Sequence, residues 1–374
     1  MKTCSWILIL LAVVSLGTAV CAGDYDQARS AAEELSRAGN KTGAADLLEA
    51  AIGTHTDADA EWLRGYIGLL RNAPASEVMN QFLKVADTFP GSNRAADALL
   101  RASYLRDKLG DDARQDWERL VTSYPGTREA AEGLHQLGHC ALRHGDVELA
   151  ISRFEQSAAL SEVDVDVAED SRMELGFAYI SQYWKTLDAG CLGRAAKALE
   201  PVTRPANTQR AIRAHIGRGE VFLRLGLPDP AWAEYKAVLR LESAEPYYRR
   251  IALFELACCE YQNERWAQSA AAFDTFLADV PGTTLTEKDA QWKQARPDYA
   301  RLLTVNPERA NALCGLELVP EAACWKGKAL LKAGRVSDAK AIADDLTTRF
   351  PDMRLGYEVR ALQAACNAAI GEGE

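Results

Sequence analysis

The sequence lacks the short motifs that usually mark a catalytic nucleophile or a bound nucleotide. It has no G-x-S-x-G turn, no phosphate-binding loop and no G-x-G-x-x-G turn. It also lacks C-x-x-C, so thiol-redox and zinc-ribbon sites lose their main support. No run of basic residues is present, and 43 Lys and Arg against 53 Asp and Glu give a net charge of −10. We therefore do not expect nucleic-acid binding, which needs a concentrated positive face.

The first 22 residues have the pattern of an export signal. Lys2 precedes an apolar run from Trp6 to Leu16, and Val20-Cys21-Ala22 offers small side chains for cleavage. This pattern predicts a signal peptide over residues 1–22 and a periplasmic or secreted protein. Two alternatives stay open, a lipidated Cys21 and an uncleaved anchor, and either would hold the protein at a membrane.

The cysteines give little sign of a disulfide framework. Seven lie beyond the predicted signal, and an odd number cannot all pair within one chain. Cys140, Cys258 and Cys259 fall inside helical patterns, where cysteine acts as a small hydrophobic residue. Cys314 and Cys324 bracket a loop-like stretch and are the best candidates for a disulfide.

A template of small and aromatic residues recurs along the chain. A small residue is followed twelve positions later by Ala or an equivalent, then after four by an aromatic residue or Leu. Examples are Gly138-Ala150-Phe154, Gly219-Ala231-Tyr235, Ala257-Ser269-Phe273 and, with Tyr66 in the small position, Tyr66-Val78-Phe82. The middle position recurs at 44, 78, 113, 150, 195, 231, 269 and 339. Because offsets of three and four share a helical face, the pattern predicts a repeat of paired antiparallel helices.

The expected helix ends carry their own signals. Glycines stand where the first helix of a pair must stop, at Gly39, Gly110, Gly145, Gly226 and Gly334. Second helices end in an apolar residue and proline, at Phe89-Pro90, Tyr124-Pro125, Val280-Pro281 and Phe350-Pro351. Signals for strands are nearly absent. A chain of 374 residues exceeds the roughly 250–300 residues of one core, which favours two domains or a stacked array.

The period of about 34 residues resembles the tetratricopeptide repeat (TPR). The apolar-Pro-Gly-Ser/Thr ends are most similar to those of bacterial cell-envelope proteins, such as outer-membrane assembly lipoproteins and the Tol–Pal coordinator. The resemblance implies an all-α protein, an α-solenoid with a right-handed superhelix of about eight to nine helix pairs and a C-terminal capping helix. We expect the array over residues 23–281, an irregular segment or degenerate repeat over 282–320, and the final unit with its cap over 321–374.

The resemblance also implies a non-catalytic scaffold that holds a protein or an extended peptide in a concave groove, without a cofactor. The alternative is a membrane-anchored assembly factor for outer-membrane or envelope complexes. Carried onto this sequence, the candidate groove residues are Arg37, Arg71, His135, His139, Arg143, Phe177, Arg224, Phe254, Tyr261, Lys328 and Lys332. The cations at 37, 71, 143, 224 and 332 occupy equivalent places in five units. They would either grip carboxylates of a partner or complement helix dipoles, and both roles are compatible.

His135 and His139 also raise a chemical hypothesis. Two histidines four residues apart share a helical face, as in zinc proteases, but those enzymes carry Glu beside the first His as general base. Gln136 occupies that place here. A metal-dependent enzyme is therefore the least favoured function, and we expect no metal and no catalysis.

Overall fold

The computed structural model describes residues 25–204, 208–295, 318–352 and 355–371. The predicted signal peptide and Cys314 lie outside these residues. Within them the chain forms eighteen α-helices, one short 3-10 helix at Pro201–Thr203 and no strand. The first nine helices are α1 Tyr25–Arg37, α2 Lys41–Ile52, α3 Ala58–Leu70, α4 Ala75–Thr88, α5 Ala95–Leu109, α6 Arg114–Ser123, α7 Arg128–Arg143, α8 Val147–Ala158 and α9 Val165–Thr186. The others are α10 Ala189–Leu199, α11 Gln209–Arg224, α12 Pro228–Arg240, α13 Pro246–Gln262, α14 Trp266–Asp279, α15 Leu285–Ala295, α16 Leu318–Lys332, α17 Val336–Arg349 and α18 Gly356–Gly371.

The chain divides into two units, residues 1–171 and residues 172–374. In the first unit, each helix from α1 to α8 packs on the next one. In the second unit, consecutive helices from α10 to α14 pack in the same way. Helix α16 then packs on α14, α17 on α16 and α18 on α17. The prediction of an all-α array of helix pairs closed by a final helix is confirmed. Among the described helices, none is long and apolar enough to span a membrane.

The core is distributed along the array. One cluster of buried apolar residues runs from Ala28 to Ala102, and the next combines Ala86 with residues up to Cys140. The second unit holds further clusters of its own, each built from neighbouring helices. Such an arrangement is typical of repeat proteins, in which each unit is stabilised by its immediate neighbours.

Helices end where the sequence signals them. The five glycines predicted to stop first helices, at 39, 110, 145, 226 and 334, have φ between 71° and 86°. This is the left-handed region that glycine enters without steric conflict, and it lets the chain leave the helix. Phe89, Tyr124, Val280 and Phe350 each cap a second helix directly before proline.

Glycines also let aromatic rings approach the backbone of the first helix in a pair. Gly219 in α11 faces the ring of Tyr235 in α12, and an added Cβ would lie 2.5 Å from Tyr235 Cζ. Gly138 in α7 faces Phe154 in α8 with the same spacing of 2.5 Å to the ring. These are the residue pairs that the template joins sixteen positions apart.

We expect Gly219→Ala to destabilise the second unit although alanine favours helix by about 1 kcal/mol. The new Cβ must displace a fully buried ring, and overpacking of this kind costs about 1–3 kcal/mol. Thermal denaturation measures the change. The matched control is Gly193→Ala in α10, where a Cβ meets no atom within 4 Å, and that variant is expected to gain stability. Equal gains from both substitutions would contradict the packing argument.

Candidate functional site

The second unit contains a cavity of about 500 Å³ formed mainly by the first helices of successive pairs. Helices α11, α13 and α16 supply most of its wall, α12 contributes Tyr235, and α15 contributes Trp292. The lining residues are Ile216, Glu220, Leu223, Arg224, Tyr235, Tyr247, Ile251, Phe254, Glu255, Cys258, Tyr261, Gln262, Trp292, Leu318, Glu321 and Trp325. A cavity of this size is in the range of sites that receive a ligand group or a few side chains.

The sequence of α13 explains why its side chains reach the cavity. Pro246 begins the helix, where the missing N–H is not needed. The buried Ala252, Ala257 and Cys259 allow the neighbouring helices to approach. The remaining face presents Ile251, Glu255 and Cys258, spaced by four and three residues, to the cavity.

Three carboxylates line the cavity, one from each of three helices. Glu220 belongs to α11, Glu255 to α13 and Glu321 to α16. Burial, together with the charges of Glu220 and Glu321, raises the pKa of Glu255 to about 8. Burial also raises the pKa of Glu220, against the lowering effect of Arg224. Glu220 and Glu255 are thus both harder to ionise than ordinary glutamates, and Arg224 is the lining residue whose charge opposes this effect.

Two further polar groups belong to this wall. The side chain of Tyr235 is fully buried, and among the described residues its hydroxyl has no hydrogen-bond partner. Burial raises the pKa of Cys258 well above its ordinary value, with the charge of Glu255 adding to the effect. The Cys258 thiol is thus held in its protonated form, which is a poor nucleophile.

Aromatic rings complete the enclosure. Tyr247 and Trp292 stack with ring centroids 5.3 Å apart. Tyr261 meets Trp325 edge-on at 5.0 Å, and the ammonium of Lys328 lies 4.1 Å from the centroid of the Trp325 ring. The rings offer rigid contact area and electron-rich faces that attract cations.

Three of the candidate groove residues, Arg224, Phe254 and Tyr261, line this one cavity. Lys328 lies beside it on Trp325 and forms an ion pair of 2.5 Å with Glu358 of α18. Phe177 is half-buried against Met173 and Leu199. The candidate groove positions elsewhere stay predictions.

The five equivalent cations all stand at the C-terminal ends of first helices, as complementing a helix dipole requires. Arg71 forms ion pairs with Asp46 at 2.9 Å and Glu49 at 2.5 Å, and Arg143 lies 3.4 Å from Asp107. Arg224 places its guanidinium 4.6 Å from the centroid of Trp184. Arg37 and Lys332 are exposed. Whether the row also grips a partner's carboxylates stays a prediction.

His135 and His139 belong to a chain of hydrogen bonds in the first unit. The Ser157 hydroxyl donates to the carbonyl of Ala131, and the Ser171 hydroxyl donates to Ser157, each over 2.8 Å. With its hydrogen so used, Ser171 accepts from His135 Nδ1 at 2.9 Å. His135 Nε2 is then the acceptor for His139 Nε2, 3.1 Å away. These hydrogen bonds connect the pair to α8 and α9, and no group of three or more metal-ligating side chains occurs within the described residues.

Sequence reasoning missed Glu255, Glu321 and Trp292. Glu255 lies two residues before the small position of its unit, Ala257, and Trp292 belongs to a segment predicted to be irregular. A signal for Glu255 was present, because it is the only charged residue in the apolar run from Ile251 to Cys259. A single charged residue in such a run indicates either an ion pair with another buried residue or a binding site.

Comparison with known proteins identifies the fold. No protein-family model and no curated protein sequence matches the chain. The C-terminal part of a TPR repeat-containing protein from Cytophaga hutchinsonii is similar in structure, with a TM-score of 0.51 at 14% identity, over 81% of this chain and 97% of that one. The apo form of RapI is similar with a TM-score of 0.53 at 10% identity, over 94% of this chain and 98% of that one. The chain therefore has a TPR-type solenoid fold.

Proposed function

We propose that the chain is a non-catalytic scaffold of the bacterial cell envelope, which holds a segment of a partner protein against the first-helix face of its second unit. The observation that carries this proposal is the cavity itself. Its walls come mainly from three successive first helices, and aromatic rings from α12, α13, α15 and α16 line it. TPR-type folds present such a face to other polypeptides, which supports the proposal. The envelope location rests on the pattern of residues 1–22.

Photo-crosslinking tests the scaffold function in the native envelope. A photoreactive phenylalanine analogue replaces Gln262, an exposed residue at the cavity. We expect it to capture a discrete polypeptide, identified by mass spectrometry. The control places the same analogue at Tyr357 in α18, a residue 76% exposed, where no such capture is expected.

Equal capture at both positions, or capture at neither, would reject the cavity as the partner's binding place. The intact mass of the exported protein tests its location separately. A mass beginning at unmodified Gly23 would exclude both a lipid on Cys21 and an uncleaved anchor.

A further inference from the structure

The charge of the cavity points to the chemistry of its occupant. Glu220 and Glu255 line the cavity beside one lining cation, Arg224, whose guanidinium already lies over the Trp184 ring. Among the residues that the structure describes, neither Glu220 nor Glu255 takes part in a hydrogen bond or a salt bridge. Both side chains are half-buried. Carboxylates withdrawn from much of their water are normally paired, so Glu220 and Glu255 indicate a site whose positive partner comes from outside.

A buried carboxylate in the first unit shows what pairing looks like in this protein. Glu61 is 4% exposed, and it accepts hydrogen bonds from Lys84 at 2.9 Å, from Gln81 at 2.7 Å and from Arg64 at 2.8 Å. These contacts hold its pKa below the ordinary value, the reverse of the shift at Glu255. The chain can satisfy a buried glutamate with its own residues, and within the described part of the chain it does not do so at the half-buried Glu220 and Glu255.

The hydroxyl of Tyr235 is an independent observation. It is a hydrogen-bonding group buried at the cavity wall, on a residue that is 0% exposed, and it has no partner among the described residues. Buried hydroxyls are almost always hydrogen-bonded. An N–H donor placed between Tyr235 and the carboxylates would satisfy the hydroxyl and neutralise charge together.

The rest of the wall suits an aliphatic stem that ends in a cation. Ile216, Leu223 and Ile251 supply apolar surface, and the ring faces of Tyr261 and Trp325 attract positive charge. The ammonium of Lys328 already uses the Trp325 ring in this way. Glu220, Glu255 and Glu321 line the same cavity, and the charges of Glu220 and Glu321 both raise the pKa of Glu255.

We propose that this cavity receives the basic side chain of a partner polypeptide, with the cation beside Glu220, Glu255 and the Tyr235 hydroxyl and the stem against the apolar wall. This inference rests on the proposed scaffold function and specifies the partner. It commits to a side chain of a polypeptide and not to a free polyamine, because one cluster of carboxylates matches one cationic group.

The test uses the full chain and a random phage-displayed peptide library. We expect the enriched peptides to share a lysine or arginine whose replacement by norleucine or citrulline weakens binding about tenfold or more, as loss of a charged hydrogen bond would. The double variant Glu220→Gln, Glu255→Gln should lose affinity to the same degree. Glu242→Gln removes the same charge at an exposed position before α13 and should leave affinity unchanged.

The outcomes separate the two proposals. Enriched peptides that bind without a basic residue, or that ignore the double variant, would overturn the inference and leave the scaffold function standing. If no peptide is enriched and crosslinking at Gln262 captures nothing, the scaffold function fails as well. To test for a free amine as the occupant, spermidine and n-butylammonium chloride are titrated into the protein, and NaCl at matched concentration serves as the control. Spermidine binding that depends on Glu255, without any basic peptide, would assign the cavity to a free polyamine and overturn the commitment to a polypeptide.

Discussion

Truncation of Phe273 to alanine is expected to destabilise the helices around the cavity by about 3–5 kcal/mol, the usual cost of removing a buried aromatic ring. Phe273 in α14 is fully buried and meets Phe254 edge-on with ring centroids 5.6 Å apart. It belongs to the same cluster as Trp292 and Leu318, two residues that line the cavity. Its loss would therefore loosen both the core between α13 and α14 and the wall of the candidate site.

The loss of stability caused by Phe273→Ala should be local, because in an array of repeats each helix pair is stabilised by its neighbours. Hydrogen exchange resolved by peptide is the suitable measurement, since the unfolding of such a chain need not be two-state. We expect faster exchange in α13, α14 and α16, and unchanged exchange in α1 to α4. Tyr357→Ala, at an exposed ring, serves as the control and should change stability by less than about 0.5 kcal/mol. Faster exchange spread evenly over every helix would contradict a distributed core.

The pairing of helices could be predicted from the sequence because its determinants are local spacings. Gly138 with Phe154 and Gly219 with Tyr235 fit the template and pack as it requires. In the helix pair formed by α3 and α4, the template places Tyr66 at the small position, but the structure puts Gly65 against the ring of Phe82. Adjacent residues on a helix point in directions about 100° apart, so only one of the two can face the ring. Because the template accepted a large residue at its small position, it was wrong by one position here.

The cavity could be predicted only in part, for a different reason. The positions of Arg224, Phe254 and Tyr261 are each set within a single repeat. The family pattern therefore predicts them. The role of Glu255 depends on Glu220 in α11 and Glu321 in α16, which line the same cavity. These two glutamates lie 35 and 66 residues away in the sequence. No periodic pattern carries that information, since it arises from the packing of helix pairs and from α15, which interrupts the repeat.

The raised pKa of Glu255 should make the second unit less stable as the pH rises. Its pKa is about 8 in the folded chain against 4.5 for an ordinary glutamate, so the unfolded chain releases this proton first. Between those two values the folded state binds more protons, and the free energy of unfolding therefore falls with increasing pH. Each pKa unit corresponds to about 1.4 kcal/mol, which sets an upper limit of about 4–5 kcal/mol above pH 8.

Glu255→Gln replaces the carboxyl by a neutral group of the same shape and should remove this dependence. Thermal denaturation of both proteins across pH 5 to 9 is the measurement, and the difference between them isolates Glu255 from other titrating groups. We expect nearly equal stability near pH 5 and a growing advantage of the variant above it. Glu242→Gln, at an exposed position, should follow the parent protein at every pH.

The same substitution links stability to binding. If Glu220 and Glu255 hold a cation, Glu255→Gln should stabilise the free protein at high pH and also weaken its binding to a basic peptide, whereas a Glu255 without a binding role would show only the effect on stability. A peptide bound at the cavity should in turn restore stability to the parent protein at high pH, because the added cation favours the ionised carboxylates. A variant that is less stable than its parent at pH 9 would show that Glu255 is paired in solution, and it would remove the basis for a cation site.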